Sequence, residues 1–228
     1  MKLYDLAGAD EALRFSPFCW RTKMALAHKG LSAETVAWRF TEKSVLPQPN
    51  AGQVPVLVDG AQTIVDSWKI AGYLDQHYPD KPLFESAQAK AHALLIKFWL
   101  ERAIHPLFAR LLVSDIFGIL DDRDKTYFQE TREKRFGKPL AELAKEREQN
   151  LGKLREGLEP LRAMLAEQDF VAGASPGFAD YLVFAPLQWA RCSSGVSLLA
   201  QDDPVFAYRE RMLDLHGGFA RKARCVGA

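Results

Sequence analysis

Residues 53–68 read Gln53-Val54-Pro55-Val56-Leu57-Val58-Asp59-Gly60-Ala61-Gln62-Thr63-Ile64-Val65-Asp66-Ser67-Trp68. An apolar run at 54–58 meets Asp59-Gly60, and a second run follows at 62–65. Asp-Gly between two such runs predicts a hairpin, because both residue types accept the backbone of a tight turn. A helix is expected over 67–78, stopped by Pro79. Upstream, 2–6 is a brief alternating run. The segment 17–29 has helix length and ends at Gly30, a good stop signal. Residues 33–40 carry Val36, Trp38 and Phe40 on one side, as a half-buried strand does. The order is βαβ, then ββα.

Beyond Ser86 the strand signals vanish. The stretches 87–120, 123–135, 139–167, 178–192 and 204–215 all read as helical, and Leu94, Leu95, Phe98, Arg102 and Ile104 mix an apolar stripe with charge. Pro79-Asp80-Lys81-Pro82-Leu83-Phe84 reads as a stiff connector, since prolines pre-set the backbone. The expected architecture is therefore α/β plus all-α: a domain over 1–80, a linker over 81–86 and a helical domain over 87–228. No internal repeat or low-complexity tract interrupts it.

The 228 residues are 48% hydrophobic and 26% charged, enough to fill a core. Lys plus Arg is 30 and Asp plus Glu is 29, a formal charge of +1. This balance gives no basic footprint for nucleic acid. No run approaches membrane-spanning length, and the first residues do not form a secretory leader. Cys19, Cys192 and Cys225 are too few and odd in number for a disulfide framework, so a reducing cytoplasm is expected.

Three short segments could build one site. In Ser16-Pro17-Phe18-Cys19-Trp20-Arg21, Pro17 suits the first helical position and Ser16 the cap before it. The first N–H groups of that helix are unpaired and its dipole is positive there, so a thiolate beside Ser16 would be stabilised. The alternative is that Ser16 caps and does nothing else. Cys19 lies at redox spacing from Ser16, but the exposed first thiol of such a pair is absent, which favours Cys19 as a small buried hydrophobe. Pro55 is either an edge-strand proline or part of a cis Val54–Pro55 turn whose backbone could pair with an extended peptide. Ser67 can cap the next helix, with Asp66 beside it able to meet an ammonium group. Capping alone explains Asp66-Ser67 equally well.

A Ser-Pro helix start, a Val-Pro strand start and an Asp-Ser helix start, in that order, resemble the thioredoxin-like domain of cytosolic glutathione transferases. The all-helical second half agrees. The resemblance implies that Ser16 faces the glutathione sulfur as the catalytic group. It implies that Gln53, Val54 and Pro55 hold the cysteinyl part, and that Asp66 and Ser67 hold the γ-glutamyl group. It also implies a homodimer and a small-molecule acceptor. Ser16–Lys23, Asp66–Ala71 and the segment 131–140 further resemble an etherase-type branch, bacterial and fungal, in which some members cleave β-aryl ethers with glutathione. One departure is visible: Gly177 stands where the family places a Ser/Thr cap three residues before Asp180. Asp180 can still reach back to the Gly177 N–H, so it reads as structural.

A hydrophobic acceptor pocket is expected between the halves. Trp20 and Arg21 are candidates from their closeness to Ser16, and Trp99, Arg102, Phe108, Tyr181 and Phe184 are the large candidates from the second half, with Trp189 and Arg191. Helical spacing fits plain core packing for each of these. His105 reads as a surface or core histidine. The five histidines show no ligand spacing, so no metal is expected. Two other functions stay open: a protein that binds glutathione or aromatic ligands without turnover, and a glutathionyl reductase working through Cys19.

Overall fold

The computed structural model describes residues 1–48 and 52–226. The first half is a thioredoxin-like unit. Strands β1 (Lys2–Leu6), β2 (Glu34–Trp38), β3 (Val56–Asp59) and β4 (Gln62–Val65) form one sheet in the order β2-β1-β3-β4. β1 and β2 are parallel, from Lys2 opposite Glu34 to Leu6 opposite Trp38, and both other pairings are antiparallel. Helix α1 (Pro17–Lys29) makes the crossover between β1 and β2, and α2 (Ser67–His77) follows the hairpin. Gly30 ends α1 at φ 69°, a left-handed position that glycine adopts without a side-chain penalty.

The second half is helical: α3 (Ala87–Trp99), α4 (His105–Ile119), α5 (Asp122–Phe136), α6 (Leu140–Lys145), α7 (Arg147–Gly157), α8 (Glu159–Glu167), α9 (Phe178–Ser193) and α10 (Pro204–Gly218). One core runs through both halves, with α1 packed on α9. The connector is pinned rather than loose. Lys29 Nζ donates to the carbonyls of Tyr78, Asp80 and Lys81 at 2.8, 3.2 and 3.1 Å. Asp75 accepts from the N–H groups of Leu83 and Phe84 at 2.8 and 3.0 Å.

Several boundaries differ from the sequence expectation, each for a physical reason. β2 stops at Trp38 instead of reaching residue 40, because the N–H groups of Phe40 and Thr41 leave the ladder and donate to the buried Asp124 carboxylate, both at 2.9 Å. β3 starts at Val56, since Pro55 has no N–H for the ladder. The long helix over 87–120 is divided by a π-helical segment, Leu100–Ile104, where His105 N–H reaches the Leu100 carbonyl. Pro106 cannot supply the N–H that the preceding turn needs, and such sites favour this wider turn. The stretch 139–167 is three helices, broken at Glu146 and at Leu158. α10 loses helical geometry at Leu215, His216 and Gly217.

Candidate active site

Three segment ends of the thioredoxin-like half converge on a cleft of about 700 Å³. Ser16 is the N-cap of α1, is buried, and lines the cleft. Its Oγ accepts from Cys19 N–H at 3.3 Å, and Pro17 begins the helix. The Val54–Pro55 peptide is cis, and Gln53, Val54 and Pro55 all line the cleft. The Pro55 carbonyl accepts from Asp66 N–H at 3.3 Å, which ties the strand start to the start of α2.

The cap of α2 is Asp66, not Ser67. Its carboxylate accepts from Trp68 and Lys69 N–H at 3.0 and 3.1 Å, which leaves Ser67 as the first helical residue on the cleft wall. Asp66 holds φ 87°, a region that costs a side-chain-bearing residue about 1–3 kcal/mol. The two capping bonds and the bond to Pro55 keep it there. Asp66 thus takes the N–H groups of Trp68 and Lys69 with its carboxylate and that of Ile70 with its carbonyl, which leaves Ser67 as the group at this helix start that can meet a ligand anion.

Cys19 lies behind Ser16 with no exposed surface. Burial, with the Asp5 carboxylate acting in the same direction, pushes its thiol well above the ordinary range, and the Ser16 hydroxyl opposes this only weakly. A thiol so placed is a poor nucleophile.

The helical half supplies the opposite wall. Its Tyr127, Phe128, Phe136 and Trp189 make that wall aromatic, and Phe18 and Phe40 of the thioredoxin-like half add two more rings to the cleft. His105 stacks on Trp189 with ring centres 5.0 Å apart, and Phe18 tilts against His105 at 5.2 Å. Burial first, then the nearby guanidinium groups of Arg21 and Arg135, lowers His105 to about 4, so its imidazole is neutral at pH 7. Below the cleft, Arg21 pairs with Glu101 at 3.2 Å and lies 4.7 Å over the Phe18 ring. Lys97 bonds the other Glu101 oxygen at 2.8 Å. Burial opposes ionisation of Glu101, but Lys97 and Arg21 together outweigh it and hold the carboxyl below its ordinary value.

Ser16, Gln53, Val54, Pro55, Asp66 and Ser67 thus share one cavity. Of the expected acceptor-pocket residues, Trp189 lines it and the others do not. Trp20 is sealed, donating its Nε1 to the Arg14 carbonyl at 2.9 Å under the Lys23 ammonium. Arg21 acts as a buried strut. Trp99 and Arg102 fall at the end of α3 and in the π-helical segment. Phe108 and Phe184 belong to the core, and Tyr181 bonds His28 and His216 at 2.6 and 3.1 Å. Arg191 donates to the carbonyls of Ala220 and Arg221 at 3.2 and 3.0 Å, so it holds the chain end. The wall residues that sequence reading passed over come mostly from 127–136. Their signal was present in the mixed aromatic and arginine content of that segment, which the sequence shows only as a charged helix and, over 131–140, as a family-like stretch. Among the described residues no group of three His, Cys, Asp or Glu side chains could hold a metal, and no helix is long and apolar enough to cross a membrane.

Two family models match the chain: glutathione S-transferase, N-terminal domain, over residues 12–82, and glutathione S-transferase, C-terminal domain, over residues 91–202. A glutathione S-transferase-like protein of Aspergillus flavus is 36% identical over 140 residues, 56% of this chain and 50% of that protein. Glutathione transferase omega-1 of Caenorhabditis elegans is 26% identical over 190 residues, 81% of this chain and 65% of that protein. The chain therefore spans between half and two-thirds of these relatives' length. A glutathione S-transferase of Ceriporiopsis subvermispora, solved in complex with glutathione, shares the fold with a TM-score of 0.82 at 23% identity, covering 94% of this chain and 95% of that one. A glutathione transferase from Phanerochaete chrysosporium shares it with a TM-score of 0.76 at 23% identity, covering 96% and 93%.

Proposed function

Because the chain belongs to the glutathione S-transferase family, we propose that it catalyses attack of the glutathione thiolate on a hydrophobic aromatic electrophile held in the cleft. The main support is the meeting, in one cavity, of Ser16 at a helix start, the Val54–Pro55 backbone, the Asp66–Ser67 helix start and an aromatic wall. In this reading Ser67, at the start of α2, takes the γ-glutamyl carboxylate, and Asp66 meets the γ-glutamyl ammonium. Gln53, Val54 and Pro55 lie along the cysteinyl part, and Ser16 donates to the thiolate. A free thiol of pKa about 8.5 is only a few per cent ionised at pH 7, so stabilising the anion is the step the protein must supply.

A β-aryl ether is a fitting acceptor class. The sulfur would form a C–S bond at the β-carbon while the C–O bond breaks and the aryloxide leaves. The support is the etherase-like segment at 131–140, which contributes Arg132, Arg135 and Phe136 to the cleft wall. The burial of Cys19 weighs against the reductase alternative. A homodimer is expected as well, since α3 carries Leu94, Leu95 and Phe98 exposed, Leu95 at 67%. Cytoplasmic residence rests on cysteine usage alone.

The test is a calorimetric titration with reduced glutathione, followed by a turnover screen of aryl ethers. Ser67→Ala is the cleaner variant, because Asp66 also caps α2. Affinity should fall about tenfold for loss of one charge-assisted hydrogen bond. Binding without turnover of any electrophile would favour the ligand-binding reading. No binding at millimolar glutathione would remove the mechanism.

A further inference from the structure

The cleft wall carries two positive charges that have no counter-charge at ion-pair distance among the described residues. Arg132 and Arg135 lie three residues apart on α5, so they share a face, and both line the cleft. Arg132 is half-buried. Its guanidinium sits 4.6 Å from the Phe128 ring centre and 5.1 Å from that of Phe40, and it donates to the Thr131 hydroxyl at 2.9 Å. Arg135 lies at the rim, 5.8 Å from the Phe136 ring centre. Among the described residues neither guanidinium has a carboxylate within ion-pair distance. Of the two acids that line the cleft, Glu101 is engaged by Arg21 and Lys97, and Asp66 by the N–H groups of Trp68 and Lys69. Glu133, between the two arginines in sequence, points its carboxylate at Leu140 N–H at 3.0 Å and Gln129 at 3.1 Å.

This is an unusual use of arginine. Partial burial beside aromatic rings desolvates the Arg132 charge, and Arg135 repels it. Two like charges held together in a half-closed aromatic cavity are stabilised when an anion joins them. The guanidinium fork matches a planar carboxylate, and rings flanking it suit an aromatic body. We propose that Arg132 and Arg135 form an anion subsite in the acceptor half of the cleft, and that the preferred electrophile is an aromatic compound bearing a carboxylate. The proposal rests on the transferase reading above and narrows its substrate class.

The experiment compares 4-(chloromethyl)benzoate with its methyl ester. With either, the glutathione sulfur bonds the benzylic carbon, chloride leaves, and the thiol proton goes to solvent. Each kcat/KM is divided by the uncatalysed rate with glutathione. The native enzyme should favour the acid at least about tenfold, the scale of a charge-assisted pair. In Arg132→Gln/Arg135→Gln that preference should fall towards one, whatever happens to the two rates. The change should lie in the acceptor KM. Arg135→Gln alone, at the rim, serves if the double variant does not fold, and should lose part of the preference. Equal use of acid and ester by the native enzyme would overturn the anion subsite and leave the transferase reading standing. So would a raised KM for glutathione with the acid preference intact, because the arginines would then hold a glutathione carboxylate. If neither acceptor reacts, the transferase reading fails. Calorimetry with 4-methylbenzoate then decides the subsite: binding by the native protein that weakens in the variant supports it, and no binding overturns it.

Discussion

At the start of α1, Ser16 caps the helix with one bond, to Cys19 N–H at 3.3 Å, and lines the cleft. At the start of α9, Asp180 caps from inside, with no exposed surface. Its carboxylate accepts from the N–H groups of Val171, Ala172 and Gly177 at 2.7, 3.1 and 3.0 Å, and from the Tyr208 hydroxyl at 3.1 Å. The two helices pack together. The contrast is that the Ser16 cap makes one bond and borders a cavity, whereas Asp180 is closed on four donors inside the core. Where the cap saturates every neighbouring donor, the same device holds the fold.

The largest effect that separates them should come from Asp180→Ala. It leaves several buried donors unpaired, at about 1–3 kcal/mol each before relaxation, so a loss of about 4 kcal/mol is expected. Thermal unfolding with turnover measured alongside checks this. An unchanged melting temperature with lost activity would reverse the roles assigned to the two caps. Ser16→Ala should behave oppositely: turnover falls about ten- to hundredfold, while the lost cap costs only about 1 kcal/mol. Full turnover at saturating glutathione would reduce Ser16 to a cap.

The C-terminal end of α1 offers a milder contrast. His28, Tyr181 and His216 form a hydrogen-bonded chain between α1, α9 and α10. Burial, helped by His28 and Lys81, lowers His216 to about 4 from an ordinary 6.5. A folded value below the unfolded one means that unfolding takes up a proton in that interval. The stability contribution is complete above pH 6.5 and is lost as the pH falls towards 4. Melting temperature against pH should therefore slope less in His216→Asn, which keeps a side chain tolerant of the φ of 52° found there. An identical slope would place the acid sensitivity elsewhere, with His105 at the cleft the next candidate.

The smallest effect concerns Gly177. A Cβ there would lie 3.0 Å from Ala172 Cβ and 3.3 Å from the Leu83 carbonyl oxygen. Close packing of the connector and Ala172 against the start of α9 thus accounts for glycine at this cap position. Gly177→Ser should fail to stabilise, with any loss within about 1 kcal/mol, because the new cap bond is offset by the crowding. A clear rise in melting temperature would show that the connector yields.

Much of the first half was legible because local signals agree there with the tertiary result. Strand β1, α1 with its Ser-Pro start and Gly30 stop, β4 and the Asp-Gly turn all rest on nearest-neighbour chemistry. The cap at α2 was misassigned by one residue, since Asp66 and Ser67 both favour that position and only the backbone geometry separates them. The acceptor wall was the least legible part. Tyr181, Phe184 and Phe108 were named beside Trp189 and are as large and apolar as Phe128 and Phe136, and helical period alone does not tell a core face from a cleft face.

The sequence by itself determined the order of elements, the segment ends that carry Ser16, Val54–Pro55 and Asp66–Ser67, and the predominance of helix past residue 86. Each of these depends on contacts between residues close in the chain. Tertiary structure alone decided which aromatic rings line the cleft, that Glu101 lies beside Arg21, eighty positions away in the chain, and that Arg132 and Arg135 form no ion pair among the described residues. Those outcomes depend on how the π-helical break at 100–104 and the packing of α5 turn particular faces towards the thioredoxin-like half, and no local preference encodes that direction.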